Sequence, residues 1–215
     1  MNIRYHLYDF YGLNIHIFNS LIYYSKNDIL NKIADIISIL FCPILFSLYL
    51  TGIFFFYILF LKLSYKSYEK LYQNFYKFWQ YFSNILVSYT MMSILVVLIK
   101  SFTSFQRPNN GSFDSFPSGH SSLAMMLHIS FIREFISKSI KRKRNTIILN
   151  FLSILIVLIV GLSRIIRQNH YPSDVLYGYI ITTITSIISI YATKYLSKVL
   201  NTVGYTLFNF FFKFF

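Results

Sequence analysis

Three short segments of this 215-residue chain hold side chains that could do chemistry. The first runs from Lys100 to Arg107-Pro108, the second is Pro117-Ser118-Gly119-His120, and the third runs from Ser163-Arg164 through His170 to Asp174. Lys100, Arg107 and Arg164 can form a cationic pocket, and guanidinium forks match the paired oxygens of a phosphate. Gly119 opens a helix, so backbone N–H groups around Ser118, Gly119 and His120 can point at an anion. His170 and Asp174 are four residues apart, which places them on one face if the segment is helical. Pro172 suits the first turn of a helix starting there. Asp174 could hold one imidazole nitrogen of His170 and leave the other basic and aimed at phosphorus. His120 could protonate the departing alkoxide. The cations would stabilise charge on the transferring phosphoryl group. Water would then attack the phosphohistidine and release inorganic phosphate.

A metal centre is not expected. The chain has seven Asp and Glu residues, of which Asp9, Asp28, Asp35, Glu69 and Glu134 fall outside these segments and the loops that carry them. Asp114 is the other acid in those loops. A two-metal site needs several such ligands together. No cofactor is expected either.

These residues must be positioned by membrane helices. The sequence is 55% hydrophobic and 13% charged, with a mean hydropathy of +0.53. A soluble domain carries about 25% charge, so the deficit and the long apolar runs indicate a membrane protein. Spans are expected at about 33–61, 80–101, 119–137, 146–163 and 174–195. Pro43 is expected to kink the first. Residues 5–24 are apolar but interrupted by Asp9, Asn14, His16 and Asn19, which favours an interfacial helix over a sixth span. The aromatic tail 205–215 is also expected at the interface, as are His6, His16 and Trp79. The expected fold is a single all-α integral membrane helical bundle over 1–215, with five transmembrane helices plus the N-terminal interfacial helix.

Basic residues dominate the net charge of +13 and cluster in the loops 62–78 and 138–145. The run Lys138–Arg144 reads as a topology signal and not as a nucleic-acid site. Those loops are expected to be cytoplasmic, placing the loops 103–117 and 163–173 at the periplasmic or extracytoplasmic face of the inner membrane. Cys42 is a lone thiol in an apolar run, so no internal disulfide forms and core filling is the plainer role. No cleavable signal peptide is evident.

The three segments resemble the signature of the type-2 phosphatidic acid phosphatase superfamily, K-x6-RP, PSGH and SR-x5-H-x3-D. All eleven specified positions match in order and spacing: Lys100, Arg107, Pro108, Pro117, Ser118, Gly119, His120, Ser163, Arg164, His170 and Asp174. The resemblance covers about residues 80–195. It implies a metal-independent membrane lipid phosphatase with His170 as nucleophile, His120 as acid, and Lys100, Arg107, Ser118, Gly119 and Arg164 binding phosphate. Vanadium haloperoxidase relatives use a similar pocket but are soluble. Lipid A, undecaprenyl diphosphate, phosphatidylglycerophosphate and phosphatidic acid are the substrates to consider. The alternative is a non-catalytic lipid-phosphate-binding or transport protein. Singly, Lys100 could be a snorkelling anchor, Arg107 and Arg164 headgroup anchors, and Asp174 a helix-terminus charge. Jointly, their arrangement on one face favours catalysis. His128 is expected to be core, and Arg167, which falls outside the fixed positions, is read as a structural residue in preference to a contact to phosphate or headgroup.

Overall fold

The computed structural model describes residues 13–133 and 143–213, and among these it is helical, without strands. The chain-order elements are α1 (Leu13–Ile22), α2 (Asp28–Leu40), α3 (Pro43–Ser64), α4 (Tyr68–Thr103), α5 (Gly119–Phe131), α6 (Lys143–Ile166), α7 (Pro172–Tyr195) and α8 (Ser197–Phe212). A 3-10 turn, Tyr23–Lys26, joins α1 to α2. Residues 5–12, His6 included, most of the basic run Lys138–Arg144 and the last two residues of the tail lie outside the described residues.

Four helices are long and apolar enough to cross a membrane: α3, α4, α6 from Asn145, and α7. Their outward faces carry Ile44, Leu48, Phe55, Phe56, Leu158 and Ile184, all exposed. An apolar exterior of this extent fits a bilayer and not water. The expected count of five spans is not established. Of the span expected at 119–137, the described helix α5 has 13 residues, short of the ~20 that a crossing needs.

Three sequence expectations change. The run 33–61 is not one kinked helix but two, with Cys42 in an extended conformation (φ −71°, ψ 121°) between them. Proline disfavours the helical region for the residue before it, and itself fits the first turn of the next helix. Cys42 is therefore at the cap position of α3, partly buried, and its side chain makes no capping hydrogen bond. The side chain of Asn27 caps α2, accepting from Ile29 N and Leu30 N at 3.0 and 3.1 Å. The loop expected at 62–78 shrinks to Tyr65–Ser67, because α4 starts at Tyr68 and meets no Gly or Pro through Thr103.

The aromatic tail also differs. α8 seals Phe208 and Phe212 against Leu71, Phe75 and Trp79 of α4 and Leu61 of α3. Trp79 is a buried packing residue whose Nε1 donates to Leu200 O at 2.7 Å, not an interface anchor.

The site-bearing helices α4, α5, α6 and α7 pack on one another, α7 against both α4 and α5. Small polar residues line these contacts: Ser88 and Ser189 bond at 2.8 Å, and Thr182, Thr185 and Ser186 are buried on α7. Small residues let membrane helices approach closely. Gly178 is the tightest example at the site. A Cβ there would meet Ser118 O at 2.9 Å and Ser122 Oγ at 3.1 Å. Gly178→Val should thus push α5 off α7. The expected cost is about 1–3 kcal/mol, read as a lower melting temperature in detergent.

Candidate active site

Asp174 ties the three segments together. It is the third residue of α7, after the cap Tyr171 and Pro172. Its Oδ2 accepts from Tyr171 N at 2.8 Å and from Ser115 Oγ at 2.5 Å. Its carbonyl accepts from Ser118 N at 3.0 Å. Asp174 is fully buried, and charged acceptors in such a place need several donors. His170 Nδ1 stands 3.5 Å from Asp174 Oδ2. His170 precedes the cap, so the pair does not share a helix face as expected. The chain turns instead. Gln168 takes a left-handed conformation (φ 54°) after α6, and Asn169 N returns to Arg164 O at 3.1 Å. The result brings the pair together by a different backbone route, with Nδ1 facing the carboxylate at a distance long for a hydrogen bond.

The second segment forms the cap of α5. Ser118 is buried, its Oγ accepts from Ser121 Oγ at 3.0 Å, and Ser122 N donates to Ser118 O at 3.0 Å. With its N–H given to Asp174, Ser118 shapes the turn. The N–H groups of Gly119 and His120 carry no partner among the described residues, as the first N–H groups of a helix do.

The cations fall into two groups. Arg107 grips Asp114 with Nε at 2.8 Å and Nη2 at 2.9 Å, and Lys100 donates to the Asp114 carbonyl. Arg164, 3% exposed at the last turn of α6, donates through Nη1 to Ser38 Oγ, and its Nε is buried without a hydrogen-bond partner. Ser38 Oγ also lies 3.5 Å from His120 Nε2. The charges of Arg164 and Lys100 reach His170, and those of Arg164 and Arg107 reach His120. All eight motif side chains or amides assigned by sequence are therefore in one neighbourhood: Lys100, Arg107, Ser118, Gly119, His120, Arg164, His170 and Asp174. Asn109 clamps the first and third segments, its N bonding Gln168 O and its Nδ2 bonding Asn169 Oδ1, both at 3.1 Å.

Sequence reasoning missed Ser38, Ser115 and Asp35. Ser38 and Asp35 lie on α2, far from the motifs in the chain. Asp35 pairs with Arg167 Nε at 2.9 Å, so that arginine is engaged by protein. The capped start of α2 at Asn27-Asp28 was the available signal. His128 is the core histidine expected, its Nδ1 2.8 Å from Ser153 Oγ. Asn14 on α1 braces the segment from behind, accepting from Ser173 N at 3.0 Å.

Membrane-crossing helices carrying this arrangement define a class, and the sequence agrees with it. Residues 79–198 match the PAP2 superfamily, and the chain belongs to that family. A crystal structure of Aquifex aeolicus LpxE shares the fold, with a TM-score of 0.55 and 21% identity over 83% of this chain and 94% of that one. No curated protein matches the sequence.

Burial lowers the pKa of His170, with the Asp174 hydrogen bond and charge opposing, and Arg164 and Lys100 lowering it further. The folded protein thus holds His170 neutral. Below an ordinary imidazole pKa of about 6.5 the unfolded chain takes up the proton first, so stability falls as pH drops. The melting temperature should be lower at pH 5 than at pH 7, and His170→Gln should shrink the difference.

Proposed function

We propose that the protein is a membrane lipid phosphatase that works through a phosphohistidine. The observation that carries this is the His170–Asp174 pair set against cations and the N-terminus of α5. With Nδ1 turned to Asp174, Nε2 of His170 is the attacking atom. A nitrogen–phosphorus bond forms as the bond from phosphorus to the leaving oxygen breaks. Burial, then Arg164, His170 and Arg107, lower the His120 pKa to about 3 in the free protein, so it takes up its proton when the negative charge of the phosphate enters. It gives that proton to the leaving oxygen, then takes one from the water that cleaves the phosphohistidine. Inorganic phosphate leaves and His170 is restored. Lys100, Arg107, Arg164 and the amides of Gly119 and His120 hold the phosphoryl oxygens. The buried Arg164 Nε supports this role, since an unpaired buried donor is costly and a phosphate oxygen would satisfy it.

In this reading the cradle lies near one membrane face, where a headgroup phosphate enters while its chains stay in the bilayer; its position at the ends of α4 and α6 and the start of α7 supports this. The basic clusters make the opposite face cytoplasmic by the positive-inside rule. The site then opens to the periplasm or cell exterior. The substrate class is a lipid phosphate monoester or diphosphate, spanning lipid A, undecaprenyl diphosphate, phosphatidylglycerophosphate and phosphatidic acid.

Phosphate release from these four lipids by detergent-solubilised protein tests the reading. At least one should be hydrolysed. His170→Ala should lose on the order of a thousandfold or more, and His120→Ala about 10²–10⁴-fold. Equal background release by wild type and His170→Ala on every lipid sinks the proposal. Activity should also survive a chelator. Loss that a divalent cation restores would refute a metal-free mechanism.

A further inference from the structure

We propose that Asp114, outside the three motifs, is the positioning residue of the phosphate cradle: it holds Lys100 and Arg107 together and leaves one edge of the Arg107 guanidinium for ligand. This rests on the proposed phosphate-binding role of those cations.

The loop is folded to bring the acid there. Arg107 N donates to Ser112 O at 3.2 Å and Ser115 N to Phe105 O at 2.9 Å, closing a narrow antiparallel bend. Its tip is Asn109-Asn110-Gly111. Asn110 is left-handed (φ 56°), its N donates to Arg107 O at 3.1 Å, and Asn109 Oδ1 accepts from Gly111 N at 3.0 Å. Position 114 consequently falls beside position 107 and against the end of α4. Ser112 Oγ braces the carboxylate by donating to Oδ1.

The contact pattern is that of an organiser. The carboxylate takes Nε and Nη2 of Arg107, the side edge of the guanidinium. Nη1 and the second hydrogen of Nη2 remain for a phosphate. Lys100 is fixed twice, by the Asp114 carbonyl and by Oδ2 at 3.9 Å. Two partly buried cations repel one another, and a carboxylate between them relieves that repulsion. It also fixes two long side chains that a ligand would otherwise have to order. Against this stands repulsion between Asp114 and phosphate. The Asp114 side chain is 44% exposed, against 19% and 24% for Lys100 and Arg107. Water therefore screens the acid more than the cations, and ordering wins. The carboxylate remains ionised as pH falls: burial would raise its pKa, but hydrogen bonds from Arg107 and Ser112 and the charges of Arg107 and Lys100 hold it well below the usual range.

Steady-state kinetics on the lipid found to be hydrolysed, with inorganic phosphate as inhibitor, tests this. Asp114→Asn keeps the shape and removes the charge. KM and the phosphate Ki should rise about tenfold, with kcat within about threefold. Ser112→Ala, which keeps the charge but frees the carboxylate, should show a smaller rise of the same kind. In an Arg107→Gln background the effect of Asp114→Asn should shrink, since the two act as a unit. The proposal is overturned if Asp114→Asn leaves Ki unchanged or tightens it, if kcat alone falls, or if the effect is undiminished without Arg107. Phosphate protection against thermal unfolding gives the same comparison without turnover. An unsubstituted protein that neither hydrolyses any lipid nor binds phosphate overturns the function and this inference together. Hydrolysis with an indifferent Asp114 overturns this inference alone.

Discussion

The buried carboxylate of Asp174 is the constraint around which the rest is arranged. A charge taken out of water inside a helical bundle costs several kcal/mol unless donors surround it. Here the donors come from separate parts of the chain: Ser115 from the loop after α4, and Tyr171 N from the cap of α7. The backbone carbonyl of the same residue receives Ser118 N from the start of α5. Each hydrogen bond to a charged group is worth about 1.5–3 kcal/mol. The side chain and carbonyl of one residue therefore fix the loop after α4 and the start of α5 against the start of α7. The imidazole of His170 faces a group that is itself held on several sides.

The polar interior of the bundle extends this logic. Between α4 and α7 the contact is made by serine and threonine hydroxyls, which bond to helix carbonyls or to each other. In a bilayer, large apolar residues gain nothing by leaving lipid for protein, so small residues and short hydrogen bonds hold helices together. Many larger side chains are sent outward, and others gather in an aromatic cluster where α3, α4 and α8 meet or pack between α3, α4 and α5. Gly178 belongs to this system, since it lets the turn at Ser118 lie directly on α7.

The family signature was legible because its residues sit in short strings with fixed spacing. His170 and Asp174, or Lys100 and Arg107, are near neighbours in sequence, and a local pattern reports them. The helical character was legible from hydropathy for the same reason. What was not legible depends on tertiary approach. Ser38 reaches Arg164 and His120 only because α2 ends at Leu40 and folds across the site. Hydropathy could not separate α2 from α3, as the residues on both sides of Pro43 are equally apolar. The loop 62–78 was misjudged because lysines and tyrosines look like a connection, although nothing in them breaks a helix. Of the span expected at 119–137, the residues from 134 lie outside those described.

The length of α4 has a consequence for how the protein sits in its bilayer. Its 36 residues make a rod of about 54 Å, while the hydrocarbon core is about 30 Å thick. Hydrophobic mismatch of that size forces the rod to tilt or to project. Lys100 lies in the last turn, and Tyr68, Lys70, Tyr72 and Lys77 lie in the turns at the other end. There Phe208 and Phe212 of α8 join Leu71, Phe75 and Trp79 of α4 to Phe54, Ile58 and Leu61 of α3. The aromatic cluster thus braces the long rod against α3 over the stretch farthest from Lys100.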